Sequence, residues 1–253
     1  MARVTVDIPL TIEVGGPLHI GAGHGRGLLN RTVVKTQTGQ VYIPGSSLRG
    51  VLRDAAEQLA RALELKVCGA PAPDNMCGKQ GALCLVCRLF GSPGRESHLI
   101  VDDALLRGDL QGALRSKKGE AYVPFGQTTQ RTQVQLSRLR GLAREGRLFS
   151  SEFATTGLIF ETTIGGILDL TPIAPDQSED IEGQYLELIL LLSAIKMVRH
   201  LGGGRRRGAG ACRLILPEQI MARRHGGLST HVATNDLLAL VEWLEVYDAS
   251  VDN

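Results

Sequence analysis

The sequence predicts an α+β fold on the ferredoxin-like βαββαβ plan, also called RRM-like. Three observations predict it. The chain opens on a strict two-residue alternation of apolar and polar side chains, a helical stripe begins near Ser46, and a second apolar helical run passes through glycines into a short strand. Between the helices lie extended segments, so the order is strand, helix, strand, strand, helix, strand, with large insertions.

In the first segment, "VTVDIPLTIEV", Val4, Val6, Ile8, Leu10, Ile12 and Val14 fall on one side and Thr5, Asp7, Pro9, Thr11 and Glu13 on the other. That period predicts a long strand with one buried face. A glycine-rich loop, "GGPLHIGAGHGRGLLN", and a short extended stretch, "RTVVKTQTGQVYIP", come next. In "GSSLRGVLRDAAEQLARALEL", Ser46 or Ser47 is expected to cap a helix whose stripe is Leu48, Val51, Leu52, Ala55, Leu59, Ala62 and Leu63. "SHLIVDDALL" reads as a strand, and Asp102 and Asp103 in it are expected to close and pack it. The segment from Ser116 to Phe149 is polar, basic and weakly periodic, and is expected to project as a loop or hairpin. "TTGLIFETTIGGILDL" reads as a strand pair or one long bulged strand. A helix from about Gly183 to Leu201, a strand from Ala211 to Leu216 and a helix in "TNDLLALVEWLEVY" complete the chain.

A hydrophobic content of 43% with 21% charged residues is ordinary for a folded, soluble chain. The first ten residues alternate instead of forming an apolar leader, and the run near Leu186 to Val198 is interrupted by Glu187, Ser193 and Lys196. No membrane span is expected, and the chain reads as cytoplasmic. The net charge of +2 conceals segregation. No acid occurs between Glu13 and Asp54, where Arg26, Arg31, Lys35, Arg49 and Arg53 fall. Arg131, Arg138, Arg140, Arg144 and Arg147 form a second basic segment, and Arg199, Arg205, Arg206, Arg207 and Arg213 a third. These segments are either one basic face or unrelated solvated loops. Between Arg147 and Lys196 there is no Lys or Arg, and the acids from Glu152 to Glu187 are either a flank for a basic neighbour or a solubilising edge.

Cys68, Cys77, Cys84 and Cys87 follow the pattern C-x8-C-x6-C-x2-C. Four thiols within a short stretch match the coordination of a structural zinc, with "CLVC" as the knuckle and His98 as a conceivable replacement for one cysteine. Such a zinc would hold a loop and do no chemistry. Cys212 reads as plain core. In "GGGRRRGAG", Gly203, Gly204 and Gly208 flank Arg205, Arg206 and Arg207. Glycines after a helix permit positive φ and expose N–H groups, and guanidinium groups add multidentate phosphate contacts, so the stretch reads as a phosphodiester site. A plain helix C-cap is the competing explanation. His24, in "GAGHGRG", is a candidate general acid or base. The aromatic stacking motif that RRM-like RNA binders carry on their strands is missing, so any RNA must bind through loops.

With "LHIGAGHG", "YIPGSSLRGVLR", "CLVCRLFGS" and "GGGRRRGAG", the chain resembles the RAMP superfamily of CRISPR-associated proteins, and more closely the backbone subunits (the Cas-seven group) of type III Csm/Cmr-type effector complexes. "QRTQVQLSRLRGLAREGRLFSSEFATTGLIFE" is similar to that family's thumb-like hairpin and the strand after it. The resemblance implies a single RAMP-type domain over residues 1–253, with insertions at about 67–97 (Cys-rich, zinc) and 116–150 (thumb-like). It implies binding to CRISPR guide RNA and its complementary target RNA, beside other effector subunits in a filament. The expected RNA-contacting residues are His24, Arg26, Arg31, Ser46, Ser47, Arg49, Arg53, Arg131, Gly203, Gly204, Arg205, Arg206, Arg207 and Gly208. Cleaving members of the family carry an aspartate in the loop after the first strand. Here Asn30 stands at that place, so little target cleavage is expected, since an amide neither recruits a divalent cation nor accepts a proton as a carboxylate does. The alternatives are an endoribonuclease acting on target or guide precursor through His24 or the Asn30 loop, and a zinc-stapled protein–protein module.

Overall fold

The opening alternation becomes β1, Ala2–Val14, in a computed structural model that describes residues 2–78, 83–118, 121–171, 185–226 and 229–234. Val4, Val6, Ile8, Leu10, Ile12 and Val14 are all buried, as the period required. β1 is the spine of an antiparallel sheet. On one side it pairs along nearly its whole length with β9 (Ile159–Leu170), from Ala2 opposite Leu170 to Glu13 opposite Ile159. On the other side two shorter strands share it: β10 (Cys212–Ile215) pairs with its end and β11 (Gln219–Arg224) with its beginning. Beyond β9 lie β3 (Ile100–Val101) and β4 (Ala104–Leu106), and β2 (Tyr42–Ile43) pairs with β4. β12 (Ser229–Ala233) extends the sheet past β11.

Three helices pack against one another beside this sheet: α1 (Gly45–Ala62), α2 (Leu85–Phe90) and α4 (Leu186–Met197). α1 is amphipathic and buries Leu48, Leu52, Ala55, Leu59 and Ala60. In α4 every residue from Leu186 to Ile195 is buried, Glu187 and Ser193 included, so the helix shows no solvent-facing polar stripe. α3 (Gly108–Ala113) is a short connector. None of the helices in the described residues is long and apolar enough to cross a membrane.

The start of α1 departs from expectation. Pro44 occupies the N-cap position and neither Ser46 nor Ser47 caps the helix. A side chain from elsewhere does so: Asp103 Oδ1 accepts the Gly45 N–H at 2.7 Å. A Cβ at Gly45 would lie 2.0 Å from the Val101 carbonyl oxygen, so "IPG" lets the helix start directly against β3. Asp103 is thus structural, as the sequence reading had it.

The segment expected to project does so as two hairpins. β5 (Arg115–Lys118) pairs with β6 (Ala121–Pro124), and β7 (Thr128–Leu136) with the longer β8 (Ala143–Ala154). "TTGLIFETTIGGILDL" forms one strand, β9, and not a pair. β11 and β12 were not anticipated. The helix expected in "TNDLLALVEWLEVY" falls, past Thr234, outside the described residues.

Candidate functional site

After α4 the chain turns through glycines held at positive φ, with Arg205–Arg207 forming one 3-10 turn between Gly204 and Gly208, both left-handed. At two positions no other residue fits. A Cβ on Gly202 (φ +71°) would lie 2.4 Å from the His19 carbonyl oxygen, and one on Gly210 (φ +83°) would lie 2.1 Å from that of Leu201. The Gly203 N–H donates to His19 O at 2.8 Å, so the arginine loop is bolted to the glycine-rich loop after β1. The three arginine side chains remain exposed. Arg205 Nε donates to Gly202 O at 3.2 Å and Arg207 Nη1 to Gln133 Oε1 at 2.9 Å, which ties the loop to β7.

The glycine-rich loop also runs along the free edge of β8. Leu18 and Ala154 exchange backbone hydrogen bonds, Asn30 N–H donates to Ser150 O at 2.9 Å, and Glu152 N–H donates to Arg31 O at 2.8 Å. Asn30 Oδ1 accepts the Ser150 N–H at 2.9 Å, so its side chain completes the ladder. Glu152 turns to the other face of the hairpin. Burial disfavours its charge, but Lys35 Nζ at 2.6 Å, the Val33 N–H at 3.1 Å and the Thr128 hydroxyl outweigh this and hold its carboxyl below the ordinary glutamate value.

One cleft is the product of these junctions. His19 from the glycine-rich loop and Arg31 just after it, Arg131 and Gln133 from β7, Ser151 and Phe153 from β8, and Gly203, Gly204, Arg207 and Ala209 from the arginine loop line it. Each of the three basic segments of the sequence contributes one guanidinium. Arg131 lies over the Phe153 ring at 5.5 Å and Arg31 over Phe149 at 5.6 Å, and the His19 ring meets Phe153 at 5.3 Å. Among the described residues, none of Arg31, Arg131 and Arg207 has an acidic partner. The cleft is therefore an uncompensated positive site with aromatic walls, suited chemically to an anion.

The remaining predicted residues are distributed around it. Arg205, Arg206 and Gly208 are exposed on the same loop, while His24 and Arg26 are exposed on the glycine-rich loop and do not line the cleft. Arg49 and Arg53 line a separate groove with Phe90, Gly91 and Arg95, and their guanidinium groups are engaged. Arg49 donates to the carbonyls of Leu99 and Phe90, and Arg53 to Glu57 and the Gly91 carbonyl. Burial, then the nearby Arg53, lowers the Arg49 value. Ser46 is exposed and Ser47 half-buried in the first turn of α1. Of the acids from Glu152 to Glu187, those between residues 172 and 184 fall outside the described residues, and of the described ones Glu152, Asp169 and Glu187 are engaged separately. Glu187 is buried, with Arg88 Nη1 at 3.1 Å and the Thr171 N–H at 2.7 Å, and Asp169 pairs with Arg3 and Arg95. His19, Gln133, Ser151 and Phe153 were not singled out from the sequence. The one signal for His19 was its place at the head of "HIGAGHG".

The cysteines converge as their spacing required. The sulfurs of Cys68, Cys77, Cys84 and Cys87 all lie within 4.8 Å of one another. A tetrahedral zinc with its usual bond lengths needs sulfurs about 3.8 Å apart, so the donor set fits a metal ion. Four cysteines complete it and His98 is not part of the group. Cys212 lies in the core, where burial pushes its thiol up to about 11 against the opposing pull of Arg205 and Arg199.

A model of the RAMP superfamily matches residues 11–213. No curated protein matches the chain. Among solved structures it is similar to a chain in a cryo-EM structure of a type III-B Cmr-beta complex bound to cognate target RNA, with 14% identity, a TM-score of 0.53, and 83% of this chain and 96% of that one covered.

Proposed function

Because the chain belongs to the RAMP superfamily, whose model spans residues 11–213, we propose that it is a guide-RNA-binding backbone subunit of a type III effector complex. Its partners in this reading are the guide, the complementary target RNA and neighbouring effector subunits. The observation that carries it is the convergence of Arg31, Arg131 and Arg207, from three distant segments, in one cleft without acidic neighbours. The similar chain belongs to an assembly bound to target RNA, which supports the same reading. The chain is then one RAMP-type domain over residues 1–253. Its Cys-rich insertion at about 67–97 carries a structural zinc, and its thumb-like insertion at 116–150 is built around β7 and β8.

Target cleavage is not assigned to this subunit. Asn30 brings no carboxylate, and its Oδ1 is occupied by the Ser150 N–H. Fluorescence anisotropy with labelled single-stranded RNA across a salt series tests the reading. Tight binding that weakens steeply with salt is expected, and replacing Arg205, Arg206 and Arg207 with alanine should lower the slope of log K against log salt by about 2. Binding that ignores both salt and the triple substitution would refute it. Incubation of the same RNA with and without magnesium tests the endoribonuclease alternative. Magnesium-dependent cuts lost in Asn30→Ala, or metal-independent cuts lost in His24→Ala, would replace the scaffold reading with that one.

A further inference from the structure

The cleft has an internal pattern that general basicity does not explain. Residues directly opposite one another in an antiparallel pair share a face. Across β7 and β8 these are Thr129 with Phe153, Arg131 with Ser151, and Gln133 with Phe149. Along β8 one face therefore reads Phe149, Ser151, Phe153, a small residue between two large ones. Arg131 is the cross-strand partner of Ser151 on one side, and Arg31 bridges Ser151 on the other. The two guanidinium groups rest against the flanking rings, Arg31 on Phe149 and Arg131 on Phe153. Arg207, fixed by Gln133, closes the arrangement from the arginine loop.

Ser151 lies at the bottom. It is 2% exposed, and its hydroxyl has no hydrogen-bond partner among the described residues. A buried hydroxyl without a partner is costly and rare in folded proteins. This one lines a cleft walled by three cations that themselves lack acidic partners.

We propose that this is a seat for a single phosphate group, with Ser151 as its floor and Arg31, Arg131 and Arg207 as its walls. A phosphate carries several acceptor oxygens, enough to receive the hydroxyl proton and paired N–H donors from more than one guanidinium. A carboxylate, with two oxygens, leaves part of that donor set unmet. The Phe rings hold the arginines before the ligand arrives, which lowers the ordering cost of binding. This deepens the RNA-binding reading and rests on it for the source of the phosphate, either an internal phosphodiester or a terminal phosphomonoester.

The test uses inorganic phosphate as the probe. The 31P resonance of phosphate is titrated with the full chain at constant ionic strength, for the wild type, Arg131→Gln and Ser151→Val. The wild type should broaden and shift the signal. Both variants should weaken that effect at least about tenfold, since each removes a charge-assisted bond or fills the notch. No effect in the wild type, or an equal effect in the variants, overturns the seat. Arg131 is exposed on the hairpin, so its variant remains informative even where Ser151→Val disturbs packing. Two oligoribonucleotides that differ in a 5′-phosphate or a 5′-hydroxyl distinguish the sources. Tighter binding of the phosphorylated one by wild type and not by Arg131→Gln assigns a terminal group, and equal binding assigns an internal one. RNA binding that persists without a phosphate effect removes the seat alone, whereas failure of the salt and triple-arginine measurements removes the broader reading alone.

Discussion

The Nδ1 atom of His19 lies 2.7 Å from the carbonyl oxygen of Glu152, so the imidazole carries its proton there. The carbonyl of the same histidine receives the Gly203 N–H at 2.8 Å. One residue thereby joins the base of the long hairpin to the arginine loop, and the cleft between them keeps its width through two hydrogen bonds at a single position.

Gly202→Ala should break that joint. The added methyl would lie 2.4 Å from His19 O on a residue held at φ +71°, so the loop must move away. A stability loss of about 1–3 kcal/mol is expected in denaturant melts. At temperatures where the fold is intact, RNA affinity should still fall in anisotropy titrations.

Glu152 should give the protein an acid-sensitive component of stability. Its folded-state carboxyl titrates below the ordinary value despite burial, because Lys35, the Val33 N–H and Thr128 favour the charged form. A depressed folded value means that the stabilisation is fully present above the unfolded value of about 4.3 and is lost as pH falls through the lower, folded one. Urea midpoints of wild type and Glu152→Gln should therefore differ at pH 7 and converge on acidification. A gap that is constant with pH would contradict the assignment.

The buried Glu187 ties α4 to α2 through Arg88 and to the end of β9 through Thr171. Removing one partner of such a pair leaves an uncompensated charge in the core. Glu187→Ala is expected to cost about 3–5 kcal/mol, read as a lower denaturant midpoint. Glu187→Gln, which keeps an acceptor for Thr171, should cost less.

One zinc per chain is expected by elemental analysis of the purified protein, and a chelator should lower its melting temperature. Cys84→Ser and Cys87→Ser should each abolish the bound metal. Arg53 Nη2 lies 3.6 Å from Cys87 Sγ, and Arg53→Ala should loosen the metal by about tenfold without removing a ligand.

The fold was legible where one side of an element meets water and the other the core. β1 and α1 show clean periods because each has one buried face. Most of β7 and the first half of β8, Ala143–Leu148, are exposed on both faces, which leaves no period to read, and the pairing there is carried by backbone bonds that every sequence supplies. β11 and β12 are short, and they are strands because β1 offers a free edge to β11 and β11 offers one to β12. The cysteine cluster was legible from spacing, since ligands close in sequence need little help from the fold. The arginine cleft was legible in composition but not in membership. Arg31, Arg131 and Arg207 meet, while Arg49 and Arg53 turn to carbonyls near α2, and no local signal separates the two sets. His19 and Ser151 act through partners more than a hundred residues away, or through the lack of one, and neither leaves a mark in its own neighbourhood.

The glycine-rich loop bonds to the free edge of β8 from Ser150 to Ala154, and among the described residues no backbone hydrogen bond reaches that edge from Ala143 to Phe149. The hairpin is thus splinted below and bare above, with a fulcrum near Phe149. Sideways deflection of the upper arm is expected to leave Ser151 and Phe153 in place, since both lie within the bonded stretch. Amide protons should record this as an abrupt step in deuterium uptake along a single strand.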